Sequence, residues 1–117
     1  MNERIVKAIR CGELHQLSLS GPIDLIDVRT PEEFRDARAT LARNMPLDTF
    51  DPAAVIQSRI THADEPLYFI CAVGARSARA CEMMMAAGHE NVINVAGGTQ
   101  GWYLSGLPIE QGPSATE

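Results

Sequence analysis

The apolar residues of this chain fall into three short runs, each bounded by residues that favour turns. The runs cover residues 23–28, 67–70 and 92–95, and short apolar runs between Gly, Pro and Asn predict buried strands. Segments with helical spacing lie between them. Because strands and helices alternate, we expect a parallel sheet with right-handed crossovers, in which ligands bind beyond the carboxyl ends of the strands.

The helix predictions depend on capping residues and on apolar spacing. Thr30 and Glu33 on either side of Pro31 have the pattern of a capping box, which predicts a helix that begins at Pro31 and ends near residues 34–36. Gly88 has the position of a residue that ends a helix in the left-handed conformation. The remaining predicted helices cover residues 1–20 with an interruption at Gly12, residues 53–60, residues 76–87 and residues 99–105.

A chain of 117 residues has room for one domain with one core. We assign this domain to residues 12–111, with residues 1–11 as an N-terminal helical extension and residues 112–117 as a disordered C-terminal tail. Residues 36–45 have no clear period. They are predicted to form a loop with a short extended piece at residues 44–45.

Composition and charge narrow the classes of function. The net charge of −5 argues against general nucleic-acid binding, which normally depends on a basic surface. No apolar run approaches the roughly 20 residues needed to span a bilayer, so no membrane partner is expected. The 3 cysteines include no C-x-x-C pair, which favours reduced thiols and a cytoplasmic location over a disulfide framework or a zinc site.

The predicted chemistry depends on residues 71–77, where a strand ends, a loop of small residues follows and a helix begins. Such a loop directs backbone N–H groups toward its centre, and the helix N-terminus adds partial positive charge. A thiolate there is stabilised, so the pKa of Cys71 should fall below its usual value. Arg76 offers planar donors to an oxyanion. The predicted site comprises Cys71 as the catalytic residue and Ala72, Val73, Gly74, Ala75 and Arg76 as substrate-binding residues.

Two further side chains are assigned supporting roles. They are Ser77, at the start of the helix, and Asp27, at the end of another predicted strand. Asp27 has two interpretations: an ion pair that orients Arg29 or a loop arginine, or a simple turn residue. Cys81 falls well inside the helix and is interpreted as a core residue rather than a second reactive thiol. The three histidines lack the spacing of metal ligands, so no metal site is predicted.

Four segments, in order, resemble the rhodanese-like domain family. They are residues 26–34 (IDVRTPEEF), residues 71–77 (CAVGARS), residues 88–98 (GHENVINVAGG) and the closing Gly97-Gly98, Trp102 and Gly106-Leu107-Pro108. The resemblance implies an α/β single-domain rhodanese-like fold, a five-stranded parallel sheet flanked by helices on both faces. It also implies a sulfurtransferase. Cys71 would take the outer sulfur of a donor such as thiosulfate and pass it, from a persulfide, to cyanide or a thiol acceptor. No metal or organic cofactor is implied.

Two features differ from the family pattern. Residues 37–46 keep little of the family's G-H-I-P-G-A-x-x-I-P stretch, and Ala72 stands where many relatives have arginine. These differences leave the physiological donor open. The altered loop at residues 37–44 also motivates an alternative function, a carrier or partner-binding module that accepts persulfide sulfur from a specific protein partner and turns over poorly alone.

A cysteine-dependent phosphatase or arsenate reductase is the third hypothesis. Protein tyrosine phosphatases place five residues between the cysteine and the arginine, whereas four residues separate Cys71 from Arg76 here. The shorter loop suits a sulfur atom better than a phosphate ester, and the sequence offers no clear general acid. We therefore favour the sulfurtransferase.

Overall fold

The computed structural model of the protein describes residues 5–113. Within that range the strands are β1 (Lys7–Arg10), β2 (Asp24–Asp27), β3 (Arg38–Ala39), β4 (Ala42–Asn44), β5 (Leu67–Ile70), β6 (Val92–Ala96) and β7 (Ile109–Glu110). The helices are α1 (Cys11–Ser18), α2 (Pro31–Asp36), α3 (Pro52–Gln57), α4 (Ala75–Ala86) and α5 (Gly98–Leu104), with a 3₁₀ turn at Leu47–Thr49.

Five of these strands form one parallel sheet, in the order β1-β6-β5-β2-β4. The central strand, β5, is buried along its whole length. Its register aligns Phe69 with Ile26 of β2 and with Asn94 of β6. The predicted α/β fold with a five-stranded parallel sheet is confirmed. The last residue of β5, Ile70, is aligned with Asp27, the last residue of β2. Cys71 follows β5 and therefore lies at the carboxyl edge of the sheet.

Helices cover both faces of the sheet, and the alternation of side chains along β5 separates two apolar cores. Phe69 and Cys71 belong to the core that α3 and α4 cover, together with Met84. Ile70 belongs to the core that α1 and α5 cover, together with the fully buried Trp102. The cysteine side chain is therefore on the α4 side of the sheet.

The predicted helix ends are confirmed at α2 and α4. The Thr30 side chain accepts from the Glu33 N–H, and the Glu33 carboxylate accepts from the Thr30 N–H, so a capping box begins α2. Gly88 follows α4 with a φ of 94°, in the left-handed region. The next helix boundary is only partly correct, since α3 ends at Gln57 rather than at residue 60. None of the described helices is both long enough and apolar enough to cross a lipid bilayer.

The prediction of a helix over residues 1–20 is wrong at Lys7–Arg10, which form the edge strand β1 and pair in parallel with β6. Within β1 only Ile9 is partly buried. A strand with so little burial has no alternating pattern to distinguish it from a helix, so pairing with β6 decides its conformation. The helical extension predicted for residues 1–11 is wrong at these four positions, and residues 1–4 lie outside the described residues.

The C-terminal tail predicted for residues 112–117 begins with a residue that is bonded to the domain. The Gly112 N–H donates to the Arg35 carbonyl at 2.7 Å, and the Gly112 carbonyl accepts from Arg38 Nη1 at 2.8 Å. The prediction of disorder is therefore wrong at Gly112. Residues 114–117 lie outside the described residues.

The loop predicted for residues 36–45 contains two short strands. Ala42–Asn44 pairs in parallel with β2 at the edge of the main sheet, where only an extended piece at residues 44–45 is predicted. Arg38–Ala39 pairs with β7 in a separate antiparallel ribbon. Strands of two or three residues that contain arginine show no apolar period, so their partner strands determine them.

Candidate active site

The loop after β5 holds Cys71 at the carboxyl edge of the sheet with 1% of its surface exposed. The loop closes at Gly74, which precedes α4 with a φ of 115°. That left-handed conformation would strain any residue with a side chain, so glycine fits the position. α4 then begins at Ala75. The predicted strand, loop and helix around the thiol are confirmed.

The Cys71 sulfur receives hydrogen bonds from the loop and from α4. The Gly74 N–H donates to Sγ at 3.1 Å, and Ser77 Oγ lies 3.3 Å from Sγ. Burial raises the pKa of the Cys71 thiol, but donation by the Ser77 hydroxyl and by backbone N–H groups outweighs it, so the pKa lies below its usual value. Burial dominates at the other thiols: it raises the pKa of Cys11, and it raises the pKa of Cys81 to about 12. Cys71 is therefore the thiol that ionises most readily.

Arg76, which the sequence predicts as an anion-binding residue, is paired with Glu33. Its Nη1 and Nη2 donate to the two carboxylate oxygens at 2.8 and 2.9 Å. The hydrogen bond from Arg76 is the main reason why the pKa of Glu33 falls to about 2, and the same bond raises the pKa of Arg76. Because Glu33 also caps α2 through Thr30, the pair joins α2 to the loop. An anion that binds Arg76 must share the guanidinium with this carboxylate.

Replacing Glu33 by glutamine should lower stability at neutral pH but not in acid. The folded-state pKa of about 2 lies below the ordinary value of 4.5, so the pair stabilises the fold above pH 4.5 and loses this effect as the pH falls toward 2. The Arg76 and Glu33 side chains are 37% and 36% exposed, so we expect a loss of about 0.5–1 kcal/mol at pH 7.

Urea unfolding at pH 7 and near pH 2 measures this difference. Glu32→Gln is the matched control because it removes the same charge from the same turn of α2. An equal loss of stability in both variants would show that the helix terminus, and not the pair with Arg76, is responsible.

Asp27 binds Arg29 rather than an arginine of the loop, in agreement with the first of its two interpretations. Arg29 Nε and Nη2 donate to the carboxylate at 3.0 and 2.8 Å, and both side chains are buried. Arg29 Nη2 also donates to the Ala37 carbonyl at 2.7 Å. By alternation along β2, Asp27 lies on the α5 side of the sheet, opposite the Cys71 side chain. The Asp27–Arg29 pair holds the segment after β2 in place and does not contact the thiol.

The sequence analysis missed Asn94, which contacts the loop from β6. Its Oδ1 accepts from Ser77 Oγ at 2.5 Å, and its Nδ2 donates to the Gly74 carbonyl at 3.1 Å. One signal was available. A single amide within an otherwise apolar strand is unusual in a parallel sheet, where strands are covered on both faces.

Cavities adjoin the loop on two sides. One of about 290 Å³ is lined by Val28, Leu47 and Arg76 among others. Another of about 380 Å³ reaches Ala72 from the α5 side. A larger one, about 540 Å³, runs along α2, and none of the described residues that line it belongs to residues 71–77. Small ligands therefore have space beside the loop, and the cavity along α2 is not part of the thiol site.

Fold and site together define a class of protein: a parallel α/β domain that presents a hydrogen-bonded, ionisable cysteine at the carboxyl edge of its sheet. The chain belongs to the rhodanese-like domain family, whose family model matches residues 11–105.

Several relatives carry names that describe a reaction. A sulfurtransferase from Allochromatium vinosum is 33% identical over 85 residues, which are 73% of this chain and 76% of that protein. The thiosulfate sulfurtransferase GlpE from Vibrio cholerae is 30% identical over 86 residues, 74% of this chain and 77% of that protein. The solved structure of the human single-domain sulfurtransferase TSTD1 is 28% identical with a TM-score of 0.69, and the match covers 86% of this chain and 97% of that one.

A longer relative has no reaction in its name. The uncharacterized protein slr1261 from Synechocystis is 32% identical over 95 residues, which are 81% of this chain. The chain spans only 51% of that protein's length, about half. The chain is therefore a rhodanese-like domain, and its relatives include proteins named sulfurtransferase at 30% and 33% sequence identity.

Proposed function

We propose that this protein is a sulfurtransferase that carries sulfane sulfur as a persulfide on Cys71. The main support for the proposal is that the pKa is shifted in opposite directions at the three thiols. Hydrogen bonds lower the pKa of Cys71, whereas burial raises the pKa of Cys11 and of Cys81. A thiolate is the form that attacks sulfur. Relatives named sulfurtransferase support the reaction class.

The proposed reaction has two displacements at sulfur. The Cys71 thiolate attacks the outer sulfur of a donor such as thiosulfate. The donor's S–S bond breaks, and its electron pair leaves with sulfite. In the second step cyanide or an acceptor thiolate attacks the outer sulfur of the persulfide, and the electron pair of that S–S bond returns to Cys71 as a thiolate. No metal or organic cofactor is required by this sequence of steps.

The loop supplies the groups that would hold the transferred sulfur. The outer sulfur of a persulfide carries the negative charge, and it would lie at the N-terminus of the twelve-residue helix α4, where N–H groups and the helix dipole stabilise an anion. The Gly74 N–H already donates to Sγ at 3.1 Å. We assign the backbone of residues 72–76 to this binding role.

The charge around the loop favours an alkyl persulfide as donor over thiosulfate. Thiosulfate carries two negative charges, and its sulfonate needs a cation. Ala72 supplies none, and Arg76 already donates to both oxygens of Glu33.

The proposal is tested by incubating the protein with thiosulfate or with glutathione persulfide and measuring its intact mass. We expect a gain of one sulfur that cyanide removes, and a higher kcat/KM with glutathione persulfide than with thiosulfate. If neither donor adds a cyanide-removable sulfur, the protein is not a sulfurtransferase of this kind. A higher kcat/KM with thiosulfate would contradict the assignment of the donor.

A sulfur carrier that exchanges with a specific protein is the second candidate. Two large side chains beside the loop favour it: Val73 is 61% exposed, and Tyr103, which lines the cavity next to Ala72, is 64% exposed. Loading of sulfur without turnover would support the carrier, and rapid turnover by the isolated domain would contradict it. Hydrolysis of an aryl phosphate or reduction of arsenate would indicate the third hypothesis instead.

We also propose a cytoplasmic location, which three free thiols support because they suit a reducing compartment.

A further inference from the structure

The hydrogen bonds around Asn94 fix the direction in which Ser77 donates its single proton. The Gly74 carbonyl can only accept, so the Asn94 atom that lies 3.1 Å from it must be Nδ2. Oδ1 therefore faces Ser77 Oγ. Because Oδ1 also can only accept, the Ser77 hydroxyl must be the donor of the bond between them.

Ser77 Oγ has three acceptors within reach but only one proton. Asn94 Oδ1 lies at 2.5 Å, whereas Cys71 Sγ and the Gly74 carbonyl both lie at 3.3 Å. A neutral thiol sulfur is a weak acceptor, and the Gly74 carbonyl already accepts from Asn94 Nδ2, so the bond to Asn94 is the favoured one while Cys71 is a neutral thiol. In that state the Cys71 S–H can donate to the lone pair of Ser77 Oγ, and the chain of donors runs from Cys71 through Ser77 to Asn94.

Ionisation of Cys71 breaks this order. When the thiol loses its proton to solvent, Sγ has no hydrogen to donate, and the lone pair of Ser77 Oγ faces a negative charge. The hydroxyl must then turn toward Sγ and give up its bond to Asn94. A charged acceptor forms the stronger bond, so the turn is favourable, but its benefit is reduced by the bond that is lost.

We propose that Asn94 is a positioning residue that competes with the Cys71 thiolate for the single proton of Ser77. Its amide also anchors the Gly74 carbonyl, which keeps the loop in place while the hydroxyl turns. A second consequence rests on the proposed function. In a persulfide the charge lies on the outer sulfur, so Sγ no longer attracts the Ser77 proton, which returns to Asn94. Asn94 thus favours the persulfide over the free thiolate.

The test measures the thiolate and requires no sulfur transfer. Thiolate ultraviolet absorbance is followed against pH for the wild type, Asn94→Ala, Ser77→Ala and the double variant. Removing Asn94 frees the Ser77 proton for Sγ, so at a fixed pH below the midpoint the thiolate fraction should rise about two- to tenfold. Ser77→Ala should lower that fraction. In the Ser77→Ala background, Asn94→Ala should not raise the thiolate fraction, because there is no Ser77 proton left to compete for; loss of the anchor on the Gly74 carbonyl would only lower it.

The charged groups that face the loop are the same in all four proteins. They are Arg76 of α4, paired with Glu33 of α2, and the Asp27–Arg29 pair at the end of β2. The residues that hydrogen-bond to the loop from β6 and α5 are uncharged: they are Asn94, Thr99 and Gln100. A shift in the titration can therefore be assigned to the proton of Ser77.

Asn91→Ala is the matched control. Asn91 lies just before the N-terminal end of β6, at the edge of the sheet opposite the loop, and its side chain donates to the Asp64 carbonyl. Its titration should equal that of the wild type. If Asn94→Ala does not fold, Asn94→Val removes the same acceptor with a residue that suits a strand.

Two results would overturn the proposal: a lower thiolate fraction in the Asn94 variant, or the same change with and without Ser77. Either would mean that Asn94 only anchors the loop. The intact-mass experiment on sulfur loading has an outcome that does not depend on the titration of the thiol. The titration can therefore refute the role of Asn94 without deciding whether the protein transfers sulfur.

Discussion

The Cys71→Ser variant should gain no sulfur from any donor and should lose sulfurtransferase turnover by at least about 10³-fold, as other enzymes do when their nucleophile is removed. A serine hydroxyl in the same place keeps the size of the side chain but is not ionised near neutral pH, so it cannot attack sulfur. Intact mass after incubation with glutathione persulfide or thiosulfate measures loading, and thiocyanate formation from cyanide measures turnover.

The other two cysteines provide the controls. Cys81 is fully buried with a pKa of about 12, and Cys11 is 6% exposed with a raised pKa. Cys81→Ala and Cys11→Ala should therefore load sulfur as the wild type does. If Cys71→Ser still gains a cyanide-removable sulfur, or if Cys81→Ala loses it, the assignment of the nucleophile is wrong.

Gly98→Ala should be the most destabilising single-methyl substitution near the site. A Cβ at Gly98 would lie 2.4 Å from the carbonyl oxygen of Ala72 and 2.6 Å from that of Cys71, and both are backbone atoms that cannot turn aside. The φ of 61° adds left-handed strain. The two effects together should cost about 2–5 kcal/mol. Urea unfolding at neutral pH measures the loss.

The same substitution should also disturb the thiol site. The first turn of α5 holds the loop through hydrogen bonds from Thr99 N–H to the Cys71 carbonyl at 2.8 Å and from Gln100 N–H to the Ala72 carbonyl at 3.1 Å. To admit a methyl group, α5 and the loop must separate and these bonds must lengthen. We expect turnover per folded molecule to fall about tenfold or more, because a misplacement of about 1 Å can cost 10²-fold.

Gly106→Ala is the matched control. Gly106 also has a positive φ, of 73°, but a Cβ there would meet nothing within 4 Å. It should show the conformational strain alone, about 1–2 kcal/mol, with turnover unchanged. Equal losses of stability in the two variants would show that backbone strain, and not contact with the loop, makes glycine necessary at residue 98. Failure to recover folded Gly98→Ala beside a folded Gly106→Ala would support the contact.

The features that were predicted correctly depend on neighbours in sequence. The capping box of Thr30 and Glu33, the glycine after α4 and the apolar strand β5 all follow from residues within a few positions of one another. Local sterics and local hydrogen bonds are sufficient to specify them. The lowered pKa of Cys71 belongs to the same group, because most of its donors lie within six residues of the sulfur.

The features that were missed depend on contacts between distant segments. β1 is a strand because it meets β6, and β3 is a strand because it meets β7. β1 is mostly exposed and β3 is only two residues long, one of them arginine, so neither strand gives a periodic signal. Glu33 is correctly predicted as a cap, but its bond to Arg76, 43 residues away, requires α2 and the loop to lie side by side.

The sequence alone determined which residue is the thiol nucleophile candidate and which edge of the sheet presents it. A strand, a loop of small residues and a helix start are local, and the carboxyl edge follows from the parallel order of the strands. Only the tertiary structure decided which groups compete around that thiol. Asn94 reaches Ser77 across 17 residues, and Glu33 neutralises Arg76, because the sheet register and the packing of α2 bring these side chains within hydrogen-bonding distance. Hydrogen bonds and ion pairs act over a few ångströms, so their partners are fixed by the fold and not by spacing along the chain.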